Sequence, residues 1–479
     1  GDYGLAVQAG EKLFKAEPKL AIVPNILGAS HRALGNRDKA VSFYEKAIAL
    51  DSTYAEAYNN LGAVQNELGQ SEKAISSYDK ALKINPRFAQ AYTNLGTALQ
   101  SMSRTEEAIT SFLRSLDIEQ DSPETHFNLA NSFKEIGDAA KAITHYQSAI
   151  SLRNNYEAAY FNLGGLLGDL ERYEESAGIY LQILRFNPNS SAAHYNLGRI
   201  KQFLGSTDEA IAYYQAAIGI DPAYAEAHNN LGTVYDELVR HQEALSCYEE
   251  ALRLSPSYAD ARLNHGTALL QTGRVAEAVA EIMEAIELQP GNLEAYHNLG
   301  TALSINQIDL TEYSEKWEQT YLTLLSFPNM INPVYITPQI CRLLKLHPLL
   351  SSTLPITDLS NTKSAIQNLI ADLSSFPLLL KTMTLRAIPD LEFEQLFRLL
   401  RYQLLLEATE AQRSNRASDF HIALAAQCFI NEYVYGETEE ESILLTKLEE
   451  HLEQRFQSFQ MRRHSRCGNN MKRIPIRGG

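Results

Sequence analysis

Near the end of the chain, His421, Cys428 and Glu432 supply an imidazole, a thiol and a carboxylate at i, i+7 and i+11, on one face of a helix. Those groups are the ones nucleophilic catalysis uses. A thiol and an imidazole must meet within hydrogen-bond reach, and seven helical residues span about 10 Å. With apolar neighbours around them, the three read as polar groups on a buried helix. No phosphate loop, HExxH pair or nucleophile elbow is present. The glycine cluster Gly164-Gly165-Leu166-Leu167-Gly168 follows no strand, so it cannot seat a nucleotide-like cofactor and reads as helix packing. Cys247, Cys341, Cys428 and Cys467 form no CxxC pair, which argues against a zinc site or disulfide framework and fits a reducing, cytoplasmic setting. No catalytic residue, metal or cofactor is expected.

The side chains that recur at a fixed spacing are asparagines: Asn60, Asn94, Asn128, Asn162, Asn196, Asn230, Asn264 and Asn298. A carboxamide carries two donors and an accepting carbonyl oxygen. A row of them suits the N–H and C=O groups of an extended peptide, clamped without reading its sequence. The competing reading is that each amide bonds to its own or a neighbouring helix.

What must position this row is a repeat. Ala57-Tyr58-Asn59-Asn60-Leu61-Gly62 returns as Ala91-Tyr92-Thr93-Asn94-Leu95-Gly96, and again around Leu163, Leu197, Leu231 and Leu299, always at multiples of 34 residues. In the same phase run Ala74, Tyr78, Ala81 and Pro86, then Ala210, Tyr214, Ala217 and Pro222, then Ala244, Tyr248, Ala251 and Pro256. Tyr58, Leu61 and Gly62 share one helix face, and Ala74, Tyr78 and Ala81 share a face of a second helix. The small residues let backbones approach and the tyrosines fill the remaining volume. One such pair cannot bury both faces alone, so stability must build up between stacked neighbours.

Motif and period resemble the tetratricopeptide-repeat (TPR) family over roughly residues 1–304. The resemblance implies an all-α superhelical solenoid with a concave channel: a half repeat (second helix only) over 1–20 and eight repeats plus a final partial one over 21–304. The residues beyond read as a smaller irregular helical domain over 305–457 and a basic, disordered tail over 458–479. The resemblance also places the asparagine column on the concave wall, where it is similar to the asparagine ladder of TPR glycosyltransferase arrays. The preceding column contains Phe127, Phe161 and Tyr195 in three consecutive repeats, candidate anchors for a partner side chain, or else packing against the next repeat. A third column is acidic at Glu56, Glu124, Glu226, Asp260 and Glu294, which opposes a clamp for a terminal carboxylate and favours a neutral or basic ligand; helix-start acids answering the macrodipole are the alternative.

After Leu303 the period fails. Leu310–Leu325, with the only tryptophan Trp317, reads as an amphipathic helix, Phe327–Pro338 as a proline-rich connector, and Gln339–Leu346 and Lys363–Leu373 as helices. Asp390 is placed to cap Leu391–Ala408, and Asp419 to cap Phe420–Tyr435, which Gly436 can end; Thr438 and Glu441 form a capping box for a last helix. The stretch Ala425-Ala426-Gln427-Cys428-Phe429-Ile430-Asn431-Glu432-Tyr433-Val434-Tyr435 resembles the helical linker of bacterial TPR-containing S-adenosylmethionine-dependent methyltransferases, which would make this chain the recruiting part of a larger enzyme. The opening Gly-Asp-Tyr-Gly, without methionine, points the same way. Arg462, Arg463, Arg466, Lys472, Arg473 and Arg477 make the tail basic.

Overall, 45% of residues are apolar and 21% charged, as in a folded protein, and the net charge of −16 repels nucleic-acid phosphates. No apolar run approaches the ~20 residues that cross a bilayer. The reading reached is a protein- or peptide-binding scaffold, with no nucleic-acid or membrane partner. The recruiting part of a methyltransferase is the alternative, and the targeting array of a protein glycosyltransferase a weaker one.

Overall fold

The computed structural model describes residues 3–305, 313–326, 333–353, 363–385 and scattered positions from 388 to 400. Every element described is an α-helix. The chain divides into two compact units, Gly1–Leu238 and Val239–Gly479.

In the first unit, α1 (Tyr3–Ala16) precedes six helix pairs and one single helix. The pairs are α2 (Ile22–Ala33) with α3 (Arg37–Leu50), α4 (Ala55–Glu67) with α5 (Ser71–Ile84), α6 (Ala89–Ser101) with α7 (Thr105–Ile118), α8 (Pro123–Glu135) with α9 (Ala139–Leu152), α10 (Glu157–Asp169) with α11 (Tyr173–Phe186), and α12 (Ser191–Phe203) with α13 (Thr207–Ile220); α14 (Ala225–Glu237) follows. Each second helix packs on its partner and on the next first helix, and first helices also approach one another directly, as α2–α4, α4–α6, α6–α8 and α12–α14 do.

The close approach inside each pair has a residue-level cause. A Cβ on Gly62 would lie 2.7 Å from the Tyr78 ring, and one on Gly198 would lie 2.7 Å from the Tyr214 ring. Tyr44, Tyr78, Tyr146 and Tyr214 are fully buried, with alanines such as Ala74 and Ala81 beside them. Glycine at the first position is what lets the ring lie against the opposing backbone.

Each pair turns at a residue in the left-handed region. At Gly69 (φ +72°) the N–H bonds to Asn66 O at 3.0 Å, and the next N–H, of Gln70, to Gln65 O at 2.9 Å. That double closure satisfies the last carbonyls of the helix and favours glycine. Gly35, Gly137, Gly205 and Gly273 do the same, but Ser103, Glu171 and Val239 hold φ of 57–60° with a side chain.

In the second unit, α15 (His241–Leu254), α16 (Ala259–Gln271), α17 (Val275–Leu288) and α18 (Leu293–Ser304) continue the pattern. They lead into α19 (Glu315–Leu325), α20 (Pro333–Leu346), α21 (Pro348–Thr353), α22 (Lys363–Ser374) and α23 (Pro377–Leu385). Tyr296, Leu299 and Leu303 of α18 share one core with Tyr321 and Leu324 of α19, Ile336 and Ile340 of α20, and Leu378 and Leu379 of α23. The apolar face that a further repeat would otherwise cover is therefore closed by irregular helices.

The second half of the connector expected at Phe327–Pro338 is helix instead: α20 starts at Pro333 and contains Pro338, and 327–332 lie outside the described residues. Proline at a first helical position loses nothing, whereas Pro338 forfeits a backbone bond at ~3 kcal/mol. Burial of Ile336, Ile340, Leu343 and Leu344, at ~1.5–3 kcal/mol per side chain, outweighs that. The Trp317 helix expected from Leu310 begins at Glu315 instead, because Ser314 before it is extended (φ −142°, ψ 130°) and Tyr313 is not helical. Asp390 does accept the N–H groups of Glu392 and Phe393, at 3.1 and 3.3 Å, while its other oxygen pairs with Lys345 at 2.7 Å. The helix Phe420–Tyr435 with His421, Cys428 and Glu432, the stretch 425–435, the capping box at Thr438 and the basic tail lie outside the described residues.

Candidate functional site

The eight asparagines occupy one position on successive first helices and all are half-buried. Most of their amides reach back one repeat. Asn60 Nδ2 donates to Asn25 Oδ1 at 3.1 Å, Asn94 to Asn59 Oδ1 at 2.9 Å, Asn128 to Thr97 Oγ1 at 3.4 Å and Asn162 to Asn131 Oδ1 at 2.8 Å. Asn230 donates to the Tyr195 hydroxyl at 3.0 Å, and in the second unit Asn298 to Thr267 Oγ1 at 3.0 Å.

The acceptor lies 35 or 31 residues back, two spots one helical turn apart on the preceding first helix. The amide takes whichever carries an oxygen. Asn196 faces Phe161 and Gly165 at those two spots, neither with a side-chain acceptor. It turns onto its own helix, donating to Ala192 O at 2.8 Å. One hydrogen of these seven amides is thus committed within the array. Gln90 and Asn229 donate to Oδ1 of Asn94 and Asn230, at 3.0 and 3.1 Å. Among the described residues no hydrogen bond reaches Oδ1 of Asn60, Asn128, Asn162, Asn196 or Asn298, and these remain acceptors.

The aromatic column is partly inlaid. Phe127 lies 6.0 Å from Tyr146 of its own pair and 5.1 Å from Tyr156 of the next, between ring centroids, and Tyr195 sits likewise at 5.9 Å from Tyr214 and 4.9 Å from Tyr224. Phe161 contacts Tyr180 at 5.7 Å. All three stay half-buried. Thr93 in the same column is buried, bonded to Ser115 and Thr125 at 2.8 Å, and Asn59, Asn229 and Leu263 are buried too. Glu56, Glu124, Glu226, Asp260 and Glu294 are exposed and stand in the first turn of their helices, the geometry the macrodipole favours; Glu124 also pairs with Arg153.

Two features escaped the sequence reading. Side chains two positions before the asparagines close the turn behind them. Nε2 of His126, His194 and His228 meets Gln120 O, Pro188 O and Pro222 O at 3.1–3.2 Å, the Tyr160 hydroxyl meets Asn154 O at 3.2 Å, and Arg262 Nη2 meets Pro256 O at 2.9 Å. Unrelated donors at one position share one acceptor, a signal visible only once the turn is folded. His126 adds a second bond, its Nδ1 lying 3.0 Å from His145 Nδ1. Burial lowers the pKa of both rings. The second feature is polar: Arg262 reaches Glu281 and Glu284 at 2.8 and 2.7 Å, beside His265 at 3.6 Å from Glu281. Burial pushes the Glu281 carboxyl up, but His265 and Arg262 outweigh it and hold the pKa below the usual range.

Among the described residues no cluster of three metal-ligating side chains occurs, and no helix is long and apolar enough to cross a membrane. Cys247 and Cys341 are free thiols whose pKa burial raises to about 11 and about 12.

Family profiles described as "Tetratricopeptide repeat" match residues 55–88, 87–155, 127–191, 189–257 and 237–303, and one described as "TPR repeat" matches 28–69. A comparison with curated proteins finds no match. Similar solved structures include YrrB, described as a TPR protein with an unusual peptide-binding site (24% identical, covering 39% of this chain and 96% of that one, TM-score 0.33). A tetratricopeptide repeat protein from Parabacteroides merdae is 19% identical, over 52% of this chain and 98% of that one, with a TM-score of 0.41. The Cut9–Hcn1 hetero-tetramer of the APC/C is 18% identical, over 62% and 59%, with a TM-score of 0.39. The repeat profiles join without a gap over residues 28–303, and the chain belongs to the tetratricopeptide-repeat family.

Proposed function

We propose that the first-helix face of the array is a protein-binding surface that holds an extended partner segment, with Phe127, Phe161 and Tyr195 as anchors beside the asparagine column. The observation that carries this reading is the set of open Oδ1 atoms on Asn60, Asn128, Asn162, Asn196 and Asn298. Cross-repeat bonds fix the orientation of most of these amides, so little side-chain entropy is left to lose when a peptide N–H docks. Exposed acids at Glu56 and Glu226 favour a neutral or basic segment over an acidic one. In this reading residues 1–20 supply a half repeat, 21–304 eight repeats and a final partial one, 305–457 a closing helical domain and 458–479 a basic tail. The array performs no chemistry itself. The methyltransferase reading rests on 425–435, and no described feature adds to it.

The test is a random dodecapeptide library displayed on phage and panned against the full chain. Enriched peptides should be neutral or basic and should bind the Asn128→Ala, Asn196→Ala double variant about tenfold more weakly. Enrichment of acidic peptides would overturn the charge preference, and undiminished binding to the double variant would remove the carboxamides from the surface.

A further inference from the structure

Gly164, Gly165 and Gly168 stand in one helix, α10, and only the first is explained by packing. A Cβ on Gly164 would lie 2.8 Å from the Tyr180 ring. A Cβ on Gly165 would meet nothing nearer than the Tyr180 hydroxyl at 3.9 Å, and one on Gly168 nothing nearer than Ser176 Oγ at 3.7 Å, both ordinary contact distances. The expectation that the whole cluster serves packing is corrected for these two. Glycine weakens a helix interior relative to almost any other residue, so the fold alone gives no reason for them.

What they leave uncovered is a hydroxyl. Tyr180 on α11 is 3% exposed; among the described residues no hydrogen bond reaches its hydroxyl, which lies toward Gly165. The equivalent tyrosines of the flanking pairs are bonded: Tyr146 donates to Asn131 Oδ1 at 2.5 Å and Tyr214 to Gln202 Oε1 at 3.0 Å. Asn131 stands one repeat before Gly165, and Gln202 one repeat after Gly168. The two glycines occupy the positions from which Asn131 and Gln202 bond the flanking hydroxyls. Burial raises the Tyr180 pKa to about 12, so it keeps its proton at neutral pH and remains a donor.

The same spot interrupts the asparagine rungs, because Gly165 offers Asn196 no acceptor and its Oδ1 is open. The acidic column is interrupted here as well, at Ala158 and Ala192. Phe161 stands one turn before Gly165 on the same helix face. We infer that Gly165 and Gly168 form a window through which the main chain of an extended, uncharged peptide segment approaches α10, one of its carbonyls accepting the Tyr180 hydroxyl and one of its N–H groups meeting Asn196 Oδ1. Side chains on α10 would hold a backbone too far away for the Tyr180 hydroxyl to reach it.

This inference rests on the protein-binding reading and is tested so that the two can fail separately. A dodecapeptide enriched on the full chain is labelled, and its affinity is measured by fluorescence anisotropy. Gly165→Leu, which fills the window, should weaken binding tenfold or more, and Tyr180→Phe about fivefold. Gly165→Leu should melt no lower than wild type, because leucine is the better helix former and a Cβ there meets nothing nearer than 3.9 Å; a melt at the wild-type temperature separates lost binding from lost folding. Wild-type affinity in both variants, with weakened binding to Asn128→Ala, would sink the window and leave the surface reading standing. Loss with Gly165→Leu but none with Tyr180→Phe would overturn the hydroxyl contact. A library that yields no binder to the wild-type chain would overturn both readings.

Discussion

Asn94 and Asn59 are joined across a repeat boundary by a 2.9 Å hydrogen bond, amide to carbonyl, and Asn59 is buried while Asn94 keeps a solvent-facing side. The bond therefore serves the interior of one repeat with a donor from the rim of the next. A residue placed to meet a partner is at the same time a tie between neighbours.

Removing that donor should be felt in the fold. Asn94→Ala leaves the buried Asn59 oxygen without its partner, a loss of about 1–2 kcal/mol. Asn196→Ala breaks only a bond to its own helix at Ala192 and should change stability by less than ~0.5 kcal/mol. Urea melts followed by circular dichroism separate the two, and equal losses would mean the cross-repeat rungs add nothing.

Neighbouring glycines should respond with opposite signs. Gly164→Ala drives a methyl into the Tyr180 ring and should destabilise by ~1–3 kcal/mol. Gly165→Ala places its methyl at an ordinary 3.9 Å from the Tyr180 hydroxyl and should stabilise by up to ~1 kcal/mol. Thermal melts of the two single variants check this directly.

The turn at Glu171 carries a side chain at φ +59° where other turns have glycine. Glu171→Gly relieves that strain and should raise stability by about 0.5–1 kcal/mol, whereas Gly205→Ala, at φ +70°, should lower it by about 1 kcal/mol. A gain from Gly205→Ala would contradict the strained geometry.

Acid should loosen the α8–α9 pair. His126 Nε2 faces the Gln120 carbonyl and must carry hydrogen, so its Nδ1 accepts from His145 Nδ1–H. Burial lowers both folded pKa values below the ordinary 6.5, offset for His126 by the Gln120 carbonyl and Asp121 and deepened for His145 by His126. The unfolded chain then binds more protons just below that value, so this stabilisation is complete above pH ~6.5 and falls away as pH drops. Hydrogen-exchange protection factors in α8 and α9, taken relative to the intrinsic rate at each pH, should fall between pH 6.5 and 5, and less so in His145→Phe. An unchanged profile in that variant would place the pH dependence elsewhere.

The helix pairs were legible from sequence because each repeat uses the same few contacts. Tyr78 against Gly62 is a local rule printed once per period, and repetition makes it unmistakable. The destinations of the asparagine amides were not, since each depends on what two other residues, one repeat back, can accept. Read afterwards, Phe161 and Gly165 already announce that Asn196 will behave differently. Past Leu303 there is no repetition to average over, so Pro338 looked like a breaker although burial of Ile336 and Ile340 carries a helix through it.

The rungs also have a direction. Each asparagine in the bonded series gives its hydrogen to the repeat before it and offers its own helix as acceptor to the repeat after. A module of this kind needs only a carboxamide at one position and an oxygen at either of two others to couple at both ends. Such joints are interchangeable, so an array built from them can gain, lose or reorder modules without redesign of the neighbours, and its outward chemistry is free to diverge while its couplings stay the same.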